Sequence, residues 1–199
     1  MTETTARHDS DKRVIRTKKA IKTALFKIME DKDISSITIS ELSQQACVNR
    51  RTFYMHYRNI TDILDEIESD LVDALSQLVK RFDTADFKKS AYDLFIGLND
   101  LITVEFDYYF HLVQVDMRGM LMSRLKSVIK TSTDKLLERV SSSNSASSKV
   151  VSSFIVGGFF NTYLEWHSHS DEIPIETVAN LASCMVEMCI DNLREQHRL

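Results

Sequence analysis

The sequence predicts an all-α protein: a small helix-turn-helix head followed by a larger antiparallel helical bundle, about nine helices in all. Three observations carry this. The 199 residues include only four Gly and one Pro, so few backbone breakers interrupt the chain. Apolar residues recur every three or four positions over long stretches, the period of helices buried on one face. Charge is also divided. Residues 1–58 hold 12 Lys and Arg against 7 Asp and Glu, a balance of +5, whereas the other 141 hold 13 against 22, a balance of −9. A basic head on an acidic body points to an anionic partner for the head.

Each element can be justified in turn. Residues 1–12 are expected as a disordered polar arm. A first helix follows from about Lys12 to Glu30, with Val14, Ile21, Ala24, Leu25 and Ile28 along one face. After the break "DKDISSI", the run "TISE" has the form of a capping box: Thr38 can accept from the amide of Glu41, and Glu41 can reach back to the amide of Thr38. It opens a short helix to about Ala46. Cys47 to Asn49 form a three-residue turn, and Asn49 is a good N-cap for a third helix reaching about Arg58. Residues 13–59 are thus expected as the head and 60–199 as the second domain.

The second domain begins with a long helix from Thr61 and Asp62. Ile63, Leu64, Ile67, Leu71, Leu75, Leu78 and Phe82 mark its inner face over six turns, so it can connect the head mechanically to the rest. Further helices are expected at about 86–104, at "DYYFHLVQV", and at about 118–140. The low-complexity run "SSSNSASS", 141–148, is expected as a loop. A helix from about Lys149 to His167 and a polar turn follow, and Pro174 starts a last helix, about 175–194.

The chemistry lies in the stretch "NRRTFYMHYRN", residues 49–59. Phe53 and Tyr57 share a face by their spacing of four, and that face can pack on Leu42, Ala46 and the first helix. The opposite face then presents Arg50, Arg51, Tyr54, Met55 and Arg58, the surface that a helix lying in the major groove needs. Arg can contact guanine O6 and N7 together, at ~1–3 kcal/mol of discrimination per pair, and Met55 can lie against a thymine methyl. Thr52, Tyr54 and His56 carry donors suited to phosphates. The helix starts at Thr38 to Ser40 and Asn49 to Arg51 offer free amides to the same groups.

The stretch "ITISELSQQACVNRRTFYMHYRNITDIL", residues 37–64, resembles the DNA-binding region of TetR/AcrR (tetracycline-repressor-type) transcriptional regulators. Ile37, Thr38, Ala46, Val48, Thr52, Phe53, Tyr54, His56, Tyr57, Asn59 and Leu64 carry the likeness. It implies phosphate contacts from Thr38, Thr52, Tyr54 and His56, and groove-facing positions at Ser40, Arg50, Arg51 and Met55. Two residues depart from the pattern. Cys47 stands at the usual turn glycine, and Ile60 replaces the usual lysine, for which Arg58 can compensate.

The C-terminal region is similar to that of a subgroup including regulators of dihydroxyacetone-kinase operons, through Gly157, Gly158, Trp166 and Pro174. The likeness implies a sensing and dimerising domain. Paired glycines within a helix cost stability, so a close helix approach is expected there. Gly157, Gly158 and Trp166 are the candidates for a dimer interface, and Tyr108, His111, Asn161 and Tyr163 for the border of a ligand cavity.

The expected function is a cytoplasmic homodimeric DNA-binding regulator, a repressor reading a palindromic operator, switched by a small-molecule effector. The alternative is a co-activator or accessory DNA binder answering to a protein partner. No catalytic motif, cofactor or membrane span is expected. His167, His169, Asp171 and Glu172 read as a solvated turn rather than a metal site, and Cys47, Cys184 and Cys189 as reduced thiols.

Overall fold

The computed structural model describes residues 3–81, 86–105, 120–141, 146–170 and 172–196. All regular structure among them is helical. The helices are α1 (Glu3–Met29), α2 (Ile39–Gln45), α3 (Arg50–Tyr54), α4 (Ile60–Val79), α5 (Phe87–Asp100), α6 (Met120–Ser141), α7 (Ala146–Ser168) and α8 (Ile175–Gln196). A short 3₁₀ turn at Ile34–Ser36 precedes α2, and a wide π turn, Leu101–Glu105, continues α5. The chain divides into two compact units, Met1–Ser69 and Asp70–Leu199, and the division falls within α4.

In the first unit, Ile21 and Leu25 of α1 are buried with Leu42 of α2, Phe53 and Tyr57 around α3, and Ile63 and Ile67 of α4. Helix α1 begins at Glu3, within the residues expected as a polar arm. No Gly or Pro interrupts residues 3–29, so the helix can extend well past its amphipathic part. Val14, expected inside, is exposed.

Both predicted N-caps of the head form. Thr38 Oγ1 accepts from the Glu41 amide at 3.2 Å, and Asn49 Oδ1 accepts from the Arg51 amide at 2.8 Å. The expected return bond from Glu41 is replaced, because its carboxylate takes the Lys32 ammonium at 2.5 Å. Helix α3 is shorter than expected, with a last turn that tightens as the His56 amide donates to Phe53 O at 2.9 Å. The next helix starts immediately afterwards. Asn59 Oδ1 caps the Asp62 amide at 2.8 Å, while Asp62 accepts from the Arg58 amide at 2.9 Å.

In the second unit, α5 packs along α8, α6 on α7, and α7 on α8. Leu94, Phe95 and Leu98 of α5 bury with Phe159, Phe160 and Tyr163 of α7, and Leu137, Ile190 and Leu193 form a further apolar cluster. The Phe95 ring meets Phe159 edge-on at 5.0 Å and Tyr163 at 5.7 Å. Helices α4 and α5 approach closely at Gly97, where a Cβ atom would lie 2.7 Å from a Leu78 methyl. The ends of the expected loop 141–148 are helical. Ser141 closes α6 and α7 is under way at Ala146, and Ser148 is a buried helical residue. The helix expected at "DYYFHLVQV" lies outside the described residues.

Candidate nucleic-acid interface

The head sorts the side chains of α3 by face. Phe53 is fully buried, whereas Tyr54 is 51% and Met55 70% exposed. Arg50, Arg51 and Arg58 are exposed with them, and Thr52 and His56 are half-buried at the edges. The Phe53 ring holds Tyr54 edge-on at 5.6 Å, so the outward tyrosine rests on the inward phenylalanine. Thr38, Ser40 and Asn49, at the starts of α2 and α3, are also exposed. Asn49 already spends its side-chain oxygen on capping. That bond orders the first turn of α3, from which Arg50 and Arg51 project.

Cys47 has φ 54°, the left-handed region. A glycine would hold that turn without steric cost. The turn nonetheless closes, through the Val48 amide donating to Ser43 O at 2.9 Å.

A polar junction missed by the sequence reading holds the back of this surface. Glu66 of α4 accepts from Lys18 at 2.6 Å and Lys22 at 2.8 Å, both on α1. The Tyr57 hydroxyl donates to the same carboxylate at 3.2 Å, and the Lys18 ammonium lies 5.4 Å from the Tyr57 ring centroid. Burial works to raise the Glu66 carboxyl, but the hydrogen bonds from Lys18 and Lys22 outweigh it and hold it below the ordinary range. The junction was not legible because its partners lie far apart in sequence.

In the second unit, Gly157 and Gly158 do not mark a close approach within the chain: a Cβ on either meets nothing within 4 Å among the described residues. Gly158 instead lies on an exposed apolar face with Val150 and Phe154 of α7, and Leu181, Met185 and Met188 of α8 are exposed as well. A shallow apolar groove of about 260 Å³ runs between Phe154, Gly158, Met185 and Cys189. Trp166 has a role inside the chain, donating from Nε1 to Ile173 O at 2.8 Å and so closing the turn before α8.

Of the four expected ligand-cavity residues, Asn161 and Tyr163 are described. Tyr108 and His111 lie outside the described residues. Asn161 is exposed on α7, whereas Tyr163 is buried, with its hydroxyl 3.4 Å from Asn99 Oδ1. Burial, and then the Asp100 charge, push the Tyr163 phenol far upward. A small apolar cavity of about 40 Å³ is lined by Phe87, Leu94, Ile129, Thr133, Phe159 and Ile190 among others. A roomier cleft of about 560 Å³ lies between α4 and α5, bordered by Gln77, Leu78, Arg81, Gly97 and Asp100. Among the described residues no group of three His, Cys, Asp or Glu is placed to hold a metal, and no helix is long and apolar enough to cross a membrane.

A helical chain with a turn-linked pair of short helices at its head, and a basic, aromatic surface on the second, belongs to the helix-turn-helix class of proteins. Residues 89–188, half the chain, match the TetR family model described as "Transcriptional regulator C-terminal region". The chain belongs to the TetR family of transcriptional regulators. An uncharacterized HTH-type transcriptional regulator of Bacillus subtilis (strain 168), YxbF, is 38% identical over 55 residues, which are 27% of this chain and 14% of that relative's length.

The fold resembles a TetR transcriptional regulator from Streptococcus agalactiae 2603V at a TM-score of 0.61 and 19% identity, covering 90% of this chain and 98% of that one. It also resembles the fatty acid degradation regulator FadR from Bacillus halodurans, at 0.62 and 14% identity over 89% and 96%. The dihydroxyacetone kinase operon activator DhaS matches at 0.51 and 15% identity over 88% and 97%. At these identities the likenesses show the shared fold.

Proposed function

We propose that this regulator is a repressor that binds a palindromic operator as a homodimer, reading bases with Arg50, Arg51 and Met55. Thr38, Thr52, Tyr54, His56 and Arg58 contact phosphates around them, Ser40 faces the groove, and the Asn49 cap sets the first turn of α3. The observation that carries this is the division of α3, with Phe53 buried and Tyr54, Met55 and both arginines exposed. Two arginines beside an exposed tyrosine and methionine offer a groove both hydrogen-bond donors for base edges and an apolar contact for a thymine methyl.

The homodimer is supported by the exposed apolar face of α7 and α8, around the open positions Gly157 and Gly158. A two-fold pairing of that face covers it in both copies and holds two reading helices at one spacing, as a palindrome requires. Trp166 supports the face by fixing the turn between its helices.

For the switch, we propose a small-molecule effector in the cleft bordered by Gln77, Leu78, Arg81 and Asp100. Its volume is within the range of ligand sites, and Leu78 and Gln77 belong to α4, the helix that begins at the head. An effector acts only if it binds one spacing of the heads more tightly than the other. The second reading, a co-activator or accessory binder answering to a protein, draws on the same exposed apolar face and applies if the chain does not cover it with its own copy.

The test is a mobility-shift titration on duplexes selected from a random library by the purified protein. Arg51→Ala and Tyr54→Ala lose affinity at least tenfold while the oligomeric state is unchanged. Undiminished binding by both variants overturns the assignment of the head.

A further inference from the structure

Helix α3 is only five residues long, too short to hold an orientation of its own. Tertiary contacts must set it. Phe53 buries its middle in the core of the head, but apolar burial is non-directional. The directional contacts lie at its two ends. Asn49 caps the start through the Arg51 amide. The exit is held from α4 by two carboxylates one helical turn apart. Asp62 accepts from the Arg58 amide at 2.9 Å, and Glu66 accepts from the Tyr57 hydroxyl at 3.2 Å.

Like charges at this spacing on a helix repel one another, and a carboxylate in a head that binds phosphates opposes binding on charge grounds alone. The bonds that Glu66 makes show what it does there. Lys18 and Lys22 fix its two oxygens from α1, so the acceptor offered to Tyr57 is already in place. Tyr57 is 3% exposed, and its ring lies 6.0 Å from that of Phe53. A hydroxyl donating to an ionised carboxylate makes a strong, directional bond. That bond refers the far end of α3 to a point held by α1 and α4 together.

We infer that Glu66 is a positioning residue for DNA recognition: acting through Tyr57, it fixes the angle at which α3 presents Arg50, Arg51 and Met55 to the groove. The inference rests on the proposed DNA-binding function. It gives a role in selectivity to two residues that touch no base. A tilt of α3 misaligns the paired hydrogen bonds by which an arginine tells one base from another. Contacts to phosphates carry no sequence information, and binding to unrelated DNA depends on those alone.

The test titrates the wild-type chain, Tyr57→Phe, Glu66→Gln and the double variant on a library-selected duplex and on an unrelated duplex of equal length. Circular dichroism fixes a temperature at which all four are folded, and stoichiometric titration gives the active fraction of each. Charge and position predict different results. Glu66→Gln removes an anion and releases two lysines, so charge alone strengthens binding to both duplexes and leaves their ratio unchanged. Positioning lowers the ratio of selected to unrelated affinity by roughly five- to tenfold, the scale reached by residues that do not touch the ligand. Tyr57→Phe changes no charge and loses selectivity in the same range. The double variant loses less than the two single losses combined, because both act on one bond.

A wild-type ratio in either single variant overturns the inference. An equal loss on both duplexes is one such result, since the junction then only stabilises the head. Additive losses in the double variant also overturn it, because Tyr57 and Glu66 then act separately. The Arg51→Ala variant separates the two readings: if it loses selected DNA while Tyr57→Phe and Glu66→Gln keep the wild-type ratio, the head assignment stands and this inference alone fails. If the wild type binds no duplex, both fail.

Discussion

The ammonium of Lys22 lies 2.8 Å from the carboxylate of Glu66, and Lys22 is a buried residue, 8% exposed. A buried lysine stays charged only beside a stable anion. Glu66→Gln removes that anion while keeping the shape. It is expected to cost roughly 2 kcal/mol, less than for a fully enclosed pair, measured by chemical denaturation. The pH dependence follows from the depressed Glu66 carboxyl. Its contribution is fully present above the unfolded value near 4.5 and is lost as pH falls toward the lower folded value. The wild type therefore loses stability through that acid range more steeply than Glu66→Gln, and parallel pH profiles would contradict the role given to the pair.

Cys47 bears a left-handed backbone in the turn between α2 and α3. Cys47→Gly relieves a steric cost of about 1 kcal/mol, partly offset by the greater freedom of glycine in the unfolded chain. The variant is expected to melt a few degrees higher with its DNA affinity retained. A lower melting temperature shows that the thiol supplies packing that outweighs the strain.

Trp166 ties the end of α7 to the turn before α8 through its bond to Ile173 O. Trp166→Phe keeps most of the ring and removes the donor. The expected loss is about 1 kcal/mol, with faster amide exchange through residues 172–176. Unchanged exchange there would mean that Pro174 and the α8 start hold the turn unaided.

Phe154 and Met185 stand exposed on α7 and α8 beside Gly158. If a second copy covers them, Phe154→Glu/Met185→Glu places four carboxylates in a dry interface and yields a monomer in sedimentation equilibrium, with little change in helical content. A dimer that survives these charges lies elsewhere on the chain, and the apolar face is then left for a protein partner.

The local features of the head were legible in the sequence because local forces set them. Helical period fixed the inward Phe53 and Tyr57 against the outward Arg50, Arg51 and Tyr54, and the N-caps at Thr38 and Asn49 depend on amides two or three residues away. Even there, Glu41 was lost to Lys32, a competitor nine residues distant that the capping pattern does not include. The second unit was legible mainly as helices, since its buried positions follow the period. What its faces meet did not follow from the period.

By itself, then, the sequence determined an all-helical chain, the helix-turn-helix with its basic aromatic face, and the family likeness that the comparison with known proteins bears out. Only the tertiary structure decided which cations of α1 are occupied. Lys18 and Lys22 are held by Glu66 on another helix, 48 residues beyond Lys18, while Lys12, Arg16 and Lys19 keep their charge toward solvent. It also decided that, among the described residues, nothing packs against Gly157 and Gly158, and that Tyr163 is buried while Asn161, two residues earlier, is exposed. The physical reason is range. Caps and helical period act within one or two turns, whereas ion pairs and packing depend on which distant segments the fold brings together.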